Sequence, residues 1–485
     1  MRGEKLKNCF CQYIPVAILL LILVSLTGQA LAGEPVTIRV GLATGLSQAD
    51  FRVMSGSYQL IDGATGLPIG QPAVGEKWSV LKEGPVLRVA REDNYLPGPY
   101  AGPVLLSPVE GNSEPNLFRF KNVRYRGTLS VQNEPAGLVV INVLDVEHYL
   151  YGVVGKEMGN TAGLEALKAQ AVVSRSYALS LRGSSTRYDV STDTSTQVYG
   201  GYEAETTPGS ERVLQAVDET AGQVLYFDGQ LVRAFFHANA GGYTENAENI
   251  WSSPVPYIKA VPSPQDDWAQ RYPVQVEGWP ANTFQWIKVF SRSQLADRLR
   301  SWNEKNTSAG KTENLVEVGS VLDILVSKNQ RDSSLPTASG RVTQLDIVGT
   351  QGSKSFFRDG IRPVFDLRST LFEVEMDSTV WVMGPEGKVS WNRGDELLVA
   401  GAAGVTLANG AMPRYEALGP EGARSLPKLF ETLTFKGRGY GHGLGMSQWG
   451  ARGMAEMGYN YQQIVQHYYN GGNSDGRLTV EPFKQ

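Results

Sequence analysis

The residues best suited to chemistry lie between Gly437 and Gly453, where the chain reads GRGYGHGLGMSQWGARG. Glycine takes every second position from Gly437 to Gly445, with Arg438, Tyr440, His442, Leu444 and Met446 in between. In an extended segment this spacing puts the glycines on one face and the five side chains on the other. A face without side chains lets a second backbone or a flat ligand come close, at an entropic cost that a bare strand does not recover. Ser447 then suits the N-cap of a helix running through Trp449, Met454 and Met457 and stopping at Gly458. Backbone N–H groups of its first turn, the Ser447 hydroxyl and the Gln448 amide could hold a polar or anionic group beside His442. The spacing is not that of a phosphate loop, which ends in Lys-Ser/Thr or follows GxGxxG.

Two more stretches carry reactive groups. Glu157 follows the Val153-Val154 pair in GVVGKEMGNTAGLEALKAQAVVSRSYAL, from Gly152 to Leu179. A helix is predicted over Gly163–Arg182, with Leu164, Leu167, Ala171, Ala178 and Leu181 on one stripe and Asn160 or Thr161 as cap. A carboxylate between a hydrophobic strand end and a helix N-terminus suits a general acid; a solvated glutamate is the plain alternative. Lys168 and Arg175 share a flank of the same helix. HANAGGYTENAENIW, from His237 to Trp251, leaves a strand-like run and is too polar for a core. His237 and His442 invite a zinc site, yet no HxxxH or HxxEH spacing and no cysteine accompanies them, so neither metal nor cofactor is expected. His148 and His467 read as structural.

The positioning elements follow from pattern. Arg2, Lys5 and Lys7 precede an apolar run from Ile14 to Leu26 and a small-x-small site at Ala30-Leu31-Ala32, which predicts an exported protein cleaved after Ala32. The run is short of the about 20 apolar residues a membrane span needs, and an uncleaved N-terminal anchor is the second reading. Cys9 and Cys11, the two cysteines of the chain, lie in this leader and leave the mature protein without disulfides or thiolate ligands. A formal net charge of −4 gives no reason to expect nucleic acid as a partner. Short alternating apolar runs between Gly, Pro and Asn turns mark 33–141 as a β-rich module. Beyond it, Ser210–Thr220 has helical spacing, while Val224–Phe227, Leu231–Phe236, Arg341–Val348 and Glu373–Val382 read as strands. A stretch from Pro385 to Leu429, rich in Gly, Pro and Ala, reads as hairpins and loops inserted ahead of the last strand-helix unit.

Taken together, YLYGVVGKEM with LEALKAQAVVSRSYA, FFHANAGGYTENAENIW and GRGYGHGLGMSQWGARGMA resemble the SpoIID/LytB family, named for stage II sporulation protein D and the LytB amidase enhancer. The resemblance runs from about Asn142 to the C-terminus. It implies an α+β protein: a SpoIID-like catalytic core over 142–485, with the inserted region at about 290–430, behind the N-terminal β-rich module. In the sporulation branch it further implies a lytic transglycosylase that cleaves peptidoglycan glycan strands, preferring strands stripped of stem peptides, with Glu157 as the catalytic residue. Gly159 stands where members usually carry proline. The LytB branch implies a different role, a non-catalytic enhancer of a cell-wall amidase.

One carboxyl is enough for the first of these activities. Ordinary glycosidases need two because an external water must be activated. A lytic transglycosylase lets the muramyl C6 hydroxyl close onto C1, so one group can protonate the leaving oxygen and then take the hydroxyl proton. Glu157 must then be protonated at rest, which burial against Val153, Val154 or Met158 would favour. Lys168, Arg175, His237, Tyr243, Tyr440, His442, Ser447 and Gln448 are the expected sugar-binding residues, converging with Glu157 in one groove, and Trp449 offers a further stacking surface.

Overall fold

The computed structural model describes residues 35–111, 113–251, 253–271, 283–331, 333–383, 388–393, 398–401, 404–407, 414–419, 422–427 and 429–484. The predicted leader and its cleavage site lie outside these residues. Among the described residues no helix is long and apolar enough to cross a membrane.

Period-2 alternation builds the N-terminal third. In the strand Gln48–Ser55, Ala49, Phe51 and Val53 are buried while Gln48 and Asp50 face solvent, as in antiparallel sheets with one face on a core. A seven-stranded sheet runs from Val190–Ser191 through Thr37–Leu46, Gly137–Asp145, Thr128–Glu134, Val104–Pro108 and Tyr58–Asp62 to Pro68–Gly70. A six-stranded sheet centred on Gln48–Ser55 and Lys77–Glu83 supplies the other half of the core. Ile38, Val40 and Val140 of the first share one hydrophobic cluster with Phe51, Val80 and Phe118 of the second. The protein is α+β with a β-rich N-terminal region. Position 141 lies inside the strand Gly137–Asp145, however, and the same cluster continues into the helices that follow, so the two parts share a strand and a core.

Those helices are α1 (Val146–Tyr151), α2 (Val154–Met158), α3 (Leu164–Leu181) and α4 (Ser210–Glu219). The chain later adds α5 (Arg292–Ser308), α6 (Gln448–Glu456) and α7 (Tyr461–Asn470). The helix α3 matches its predicted span but not its predicted single stripe, because fourteen of its eighteen residues are buried. It is the central helix of the core, flanked by α2, α4, α6, α7 and the strand Gln223–Phe227. Its alanines and serines let these neighbours approach on several sides. Gly163 is its N-cap, without a side-chain bond; Asn160 is spent on Thr207 and the Pro208 carbonyl, and Thr161 accepts from Arg452.

Three predicted strands change. Leu231–Phe236 pairs only at its ends, through Gln230–Leu231 and Phe236–His237. Arg341–Val348 enters its sheet at Gln344. Glu373–Val382 divides into Phe372–Met376, which pairs with Thr432–Arg438, and Thr379–Met383, which opens the first of three hairpins. The inserted region is more than those hairpins. Trp286, Phe290, Leu295, Ile347, Phe365, Phe372 and Phe435 belong to a second hydrophobic cluster, separate from the first. The strand Thr432–Arg438 leads out of it into the glycine segment.

Candidate active site

Glu157 sits on α2, a short helix rather than a strand end, which Gly159 closes at φ +82°. Proline cannot adopt that angle, so the backbone here takes a course that a proline at this position would prevent. One carboxyl oxygen of Glu157 accepts from the Val198 N–H at 2.6 Å. The other lies 3.5 Å from the Gln448 amide nitrogen, which also reaches Gln170 Oε1 at 3.4 Å. Gln170 in turn donates to Ser174 Oγ at 2.9 Å, so its oxygen is turned to Gln448 and the Gln448 NH2 group is turned to Glu157. Burial pushes the Glu157 carboxyl up to about 7, against the pull of those two hydrogen bonds.

The glycine segment departs from the extended geometry that its spacing predicts. Regular strand ends at Arg438, and Gly439, Gly441, Gly443 and Gly445 all have positive φ. Their missing side chains make room for protein. A Cβ at Gly439 would lie 2.8 Å from the Asn239 carbonyl oxygen, one at Gly441 2.8 Å from the His237 Cβ, and one at Gly443 2.5 Å from the Arg341 guanidinium. The segment runs alongside 236–241: Asn239 and Tyr440 exchange N–H···O bonds at 3.0 and 2.8 Å, and Phe236–His237 pairs parallel with Met446–Ser447.

This arrangement sets both histidines. His442 Nδ1 accepts from the Leu444 N–H at 3.0 Å, so the proton of the neutral ring stands on Nε2. With Nδ1 accepting and Nε2 protonated, the ring offers no free lone pair in this arrangement. Burial lowers it to about 4, so it is neutral. His237 Nδ1 lies 3.0 Å from the Leu444 carbonyl oxygen and must carry the proton there. The two rings are 5.3 Å apart between centroids. Among the described residues no three potential ligands cluster around a metal position.

Glu157, His237, Tyr440, His442 and Gln448 line one cleft of about 620 Å³. Four predicted sugar-binding residues are elsewhere. Lys168 is paired with Glu165 at 3.0 Å and Glu219 at 2.6 Å. Arg175 is wholly buried and grips Glu147 at 2.9 and 2.5 Å and the Gln223 carbonyl at 3.0 Å. Tyr243 bridges to Pro262 outside the cleft. Ser447 caps α6 as predicted, but its buried hydroxyl donates to Asp266 and receives the Gly450 and Ala240 N–H groups, so none of it faces a ligand. Trp449 is buried beneath Arg452 and offers no stacking surface. If Arg175 is structural, Arg175→Met lowers stability by about 2–3 kcal/mol, somewhat less than a fully buried pair because Glu147 keeps some exposure. The chemistry of the folded fraction is unchanged. Urea unfolding with a parallel activity assay checks both parts.

Sequence reasoning missed several lining residues: Tyr177, Thr194–Thr196, Arg233, Trp251 and Arg362. The Arg233 guanidinium lies over the Phe235 ring at 5.3 Å and the Tyr177 ring at 5.8 Å. Arg362 comes from the inserted region and bonds Asp359 at 3.2 Å. Trp251 could have been found, since it closes the HANAGG stretch; it packs against Phe235 at 4.3 Å and His442 at 5.5 Å.

The family model for the stage II sporulation protein SpoIID matches residues 134–227, which include Glu157 and α3. The chain is 27% identical over 325 residues to the amidase enhancer of Bacillus subtilis (strain 168), covering 66% of this chain and 39% of that protein. It is 26% identical over 341 residues to stage II sporulation protein D of the same organism, covering 68% of this chain and 74% of that protein. An uncharacterized protein of Brachyspira hyodysenteriae is 27% identical over 357 residues, 73% of either chain. Over this part of its length the chain is thus similar to the SpoIID/LytB proteins, which supports the resemblance its motifs carry.

Proposed function

We propose that this protein is a peptidoglycan lytic transglycosylase, acting outside the cytoplasm on glycan strands, with Glu157 as its general acid and base. The observation that carries the reading is the lone carboxyl. Glu157 is the one acidic residue among the described residues lining the cleft, and burial holds it near 7. Two-carboxylate hydrolysis has no second group here. A single acid suffices when the nucleophile is the muramyl C6 hydroxyl of the substrate itself, since intramolecular attack can lower a barrier by on the order of 7–11 kcal/mol. Glu157 gives its proton to the glycosidic O4 as the C1–O4 bond breaks. The O6–C1 bond then forms, and the O6 proton returns to Glu157, leaving a 1,6-anhydro end.

Arg233 and Arg362 both line the cleft, and with Asp359 already beside Arg362, Arg233 is left in excess over a Glu157 whose charge burial reduces. That balance suits a sugar carrying a free lactyl carboxylate, as muramic acid does once its stem peptide is removed. Thr194, Ser195, Thr196, Tyr440 and Gln448 supply the hydroxyl, aromatic and amide groups that sugars use. The N-terminal β-rich region is an accessory module in this reading, and 1–32 the export signal or anchor. Similarity to the amidase enhancer supports a second reading, a wall-bound protein that stimulates an N-acetylmuramoyl-L-alanine amidase without cutting glycan. Purified protein incubated alone with peptide-stripped strands separates the two. Shortened strands support the enzyme, whereas intact strands together with faster peptide release by an added amidase support the enhancer.

The acid role fixes a pH profile. Glu157 works protonated, so turnover is greatest below about 7 and falls roughly tenfold per pH unit above that point. A rate that instead rises from pH 6 to 8 contradicts the assignment of Glu157 as the acid.

A further inference from the structure

The histidine pair contains one unused electron pair. The Leu444 peptide group serves both rings, its N–H bonding His442 and its carbonyl bonding His237. The carbonyl can only accept, so the His237 proton resides on Nδ1 and Nε2 is bare. His237 is 5% exposed, and its Nε2 has no hydrogen-bond partner among the described residues. Native proteins leave few buried polar atoms in that condition, and those they leave call for an explanation. This one belongs to a side chain lining the cleft that contains Glu157. His442 cannot share the role, because its Nδ1 lone pair is taken by the Leu444 N–H and its Nε2 then carries the ring proton.

We infer that His237 Nε2 accepts a hydrogen bond from the muramyl C6 hydroxyl and aims its oxygen at C1. This rests on the transglycosylase reading above. Acceptance fits a neutral imidazole and a hydroxyl that must present its oxygen lone pair to C1 while its hydrogen is held elsewhere. The ring orients the hydroxyl and does not keep its proton: burial and the neighbouring His442 hold His237 well below the usual histidine range. The proton therefore goes to Glu157 once that group has protonated the leaving oxygen. His237 is thus a positioning residue, and the Leu444 carbonyl sets its tautomer.

The test uses the full mature protein with Glu157→Gln, which binds without cutting, and follows the 15N signal of His237 Nε2. Saturation with peptide-stripped muramyl–glucosaminyl strands should move the signal from that of a bare nitrogen to that of a hydrogen-bond acceptor. Strands made 6-deoxy at the muramyl unit should bind and leave it unmoved. Strands that bind without shifting the signal, or a shift that survives 6-deoxygenation, overturn the inference while leaving the glycan reading intact. Strands that do not bind at all overturn both. In the active protein His237→Leu should lower turnover about 10–100-fold, and His237→Gln, whose amide oxygen can stand near Nε2, should recover at least part of it. Equal loss in both variants at unchanged folding counts against the acceptor role.

Discussion

Glu157→Gln is expected to lower glycan cleavage by about 10²–10⁴-fold, the range of a lost general acid, without loss of folding or glycan binding. The amide is nearly isosteric. Its oxygen can still accept from the Val198 N–H, which lies 2.6 Å from the native carboxyl, so the loop that shapes the cleft keeps its anchor. What the amide lacks is a transferable proton. The contact with Gln448 is long, at 3.5 Å, and contributes little to holding the side chain. Chromatography of stripped strands after timed incubation gives the rate, and thermal unfolding gives the fold. A variant within tenfold of the parent rate contradicts the catalytic assignment.

Gly445→Val is expected to give the largest loss of stability, more than about 4 kcal/mol, read as insoluble protein or a much lower urea midpoint. Two causes combine. Gly445 has φ +68°, a left-handed conformation that β-branched residues resist. A Cβ there would also lie 2.0 Å from the Phe235 carbonyl oxygen. That oxygen accepts from the Met446 N–H at 3.1 Å and from the Tyr469 hydroxyl at 2.6 Å, so it cannot retreat without breaking both bonds. Gly458→Ala is the control. Its φ is +88°, but nothing lies within 4 Å of the added carbon, so only the backbone term of roughly 1–2 kcal/mol remains. Similar midpoints for the two variants contradict the close packing assigned to Gly445.

The sequence made the framework legible where a pattern was long and local. The spans of α3 and α4 follow from the helical spacing of their apolar residues, although α3 is buried well beyond one stripe. Ser447 was legible as a cap because capping depends on a hydroxyl and the next turn alone. The motif singled out Glu157, which lines the cleft, and its apolar neighbours pointed to the upward direction of its titration.

What sequence could not supply was the identity of distant partners. Lys168 and Arg175 resembled ligand-binding cations because Glu219 and Glu147 stand on other helices. The alternating glycines fit a strand by period, yet the same spacing serves a chain that turns left-handed at four of them against a neighbouring loop. Whether a bare face meets protein or ligand is a tertiary fact. Arg233 and Arg362 carry no local pattern at all, and reach the cleft through a short loop and an inserted lobe.

Cleavage of peptide-stripped strands in 18O-water, followed by mass spectrometry of the new ends, tests the central claim most directly. If Glu157 serves the muramyl C6 hydroxyl, every new muramyl end is lighter than a hydrolysed end by one water and carries no 18O, and Glu157→Gln yields none. New ends that carry 18O would show that water is the nucleophile and contradict the single-carboxyl account.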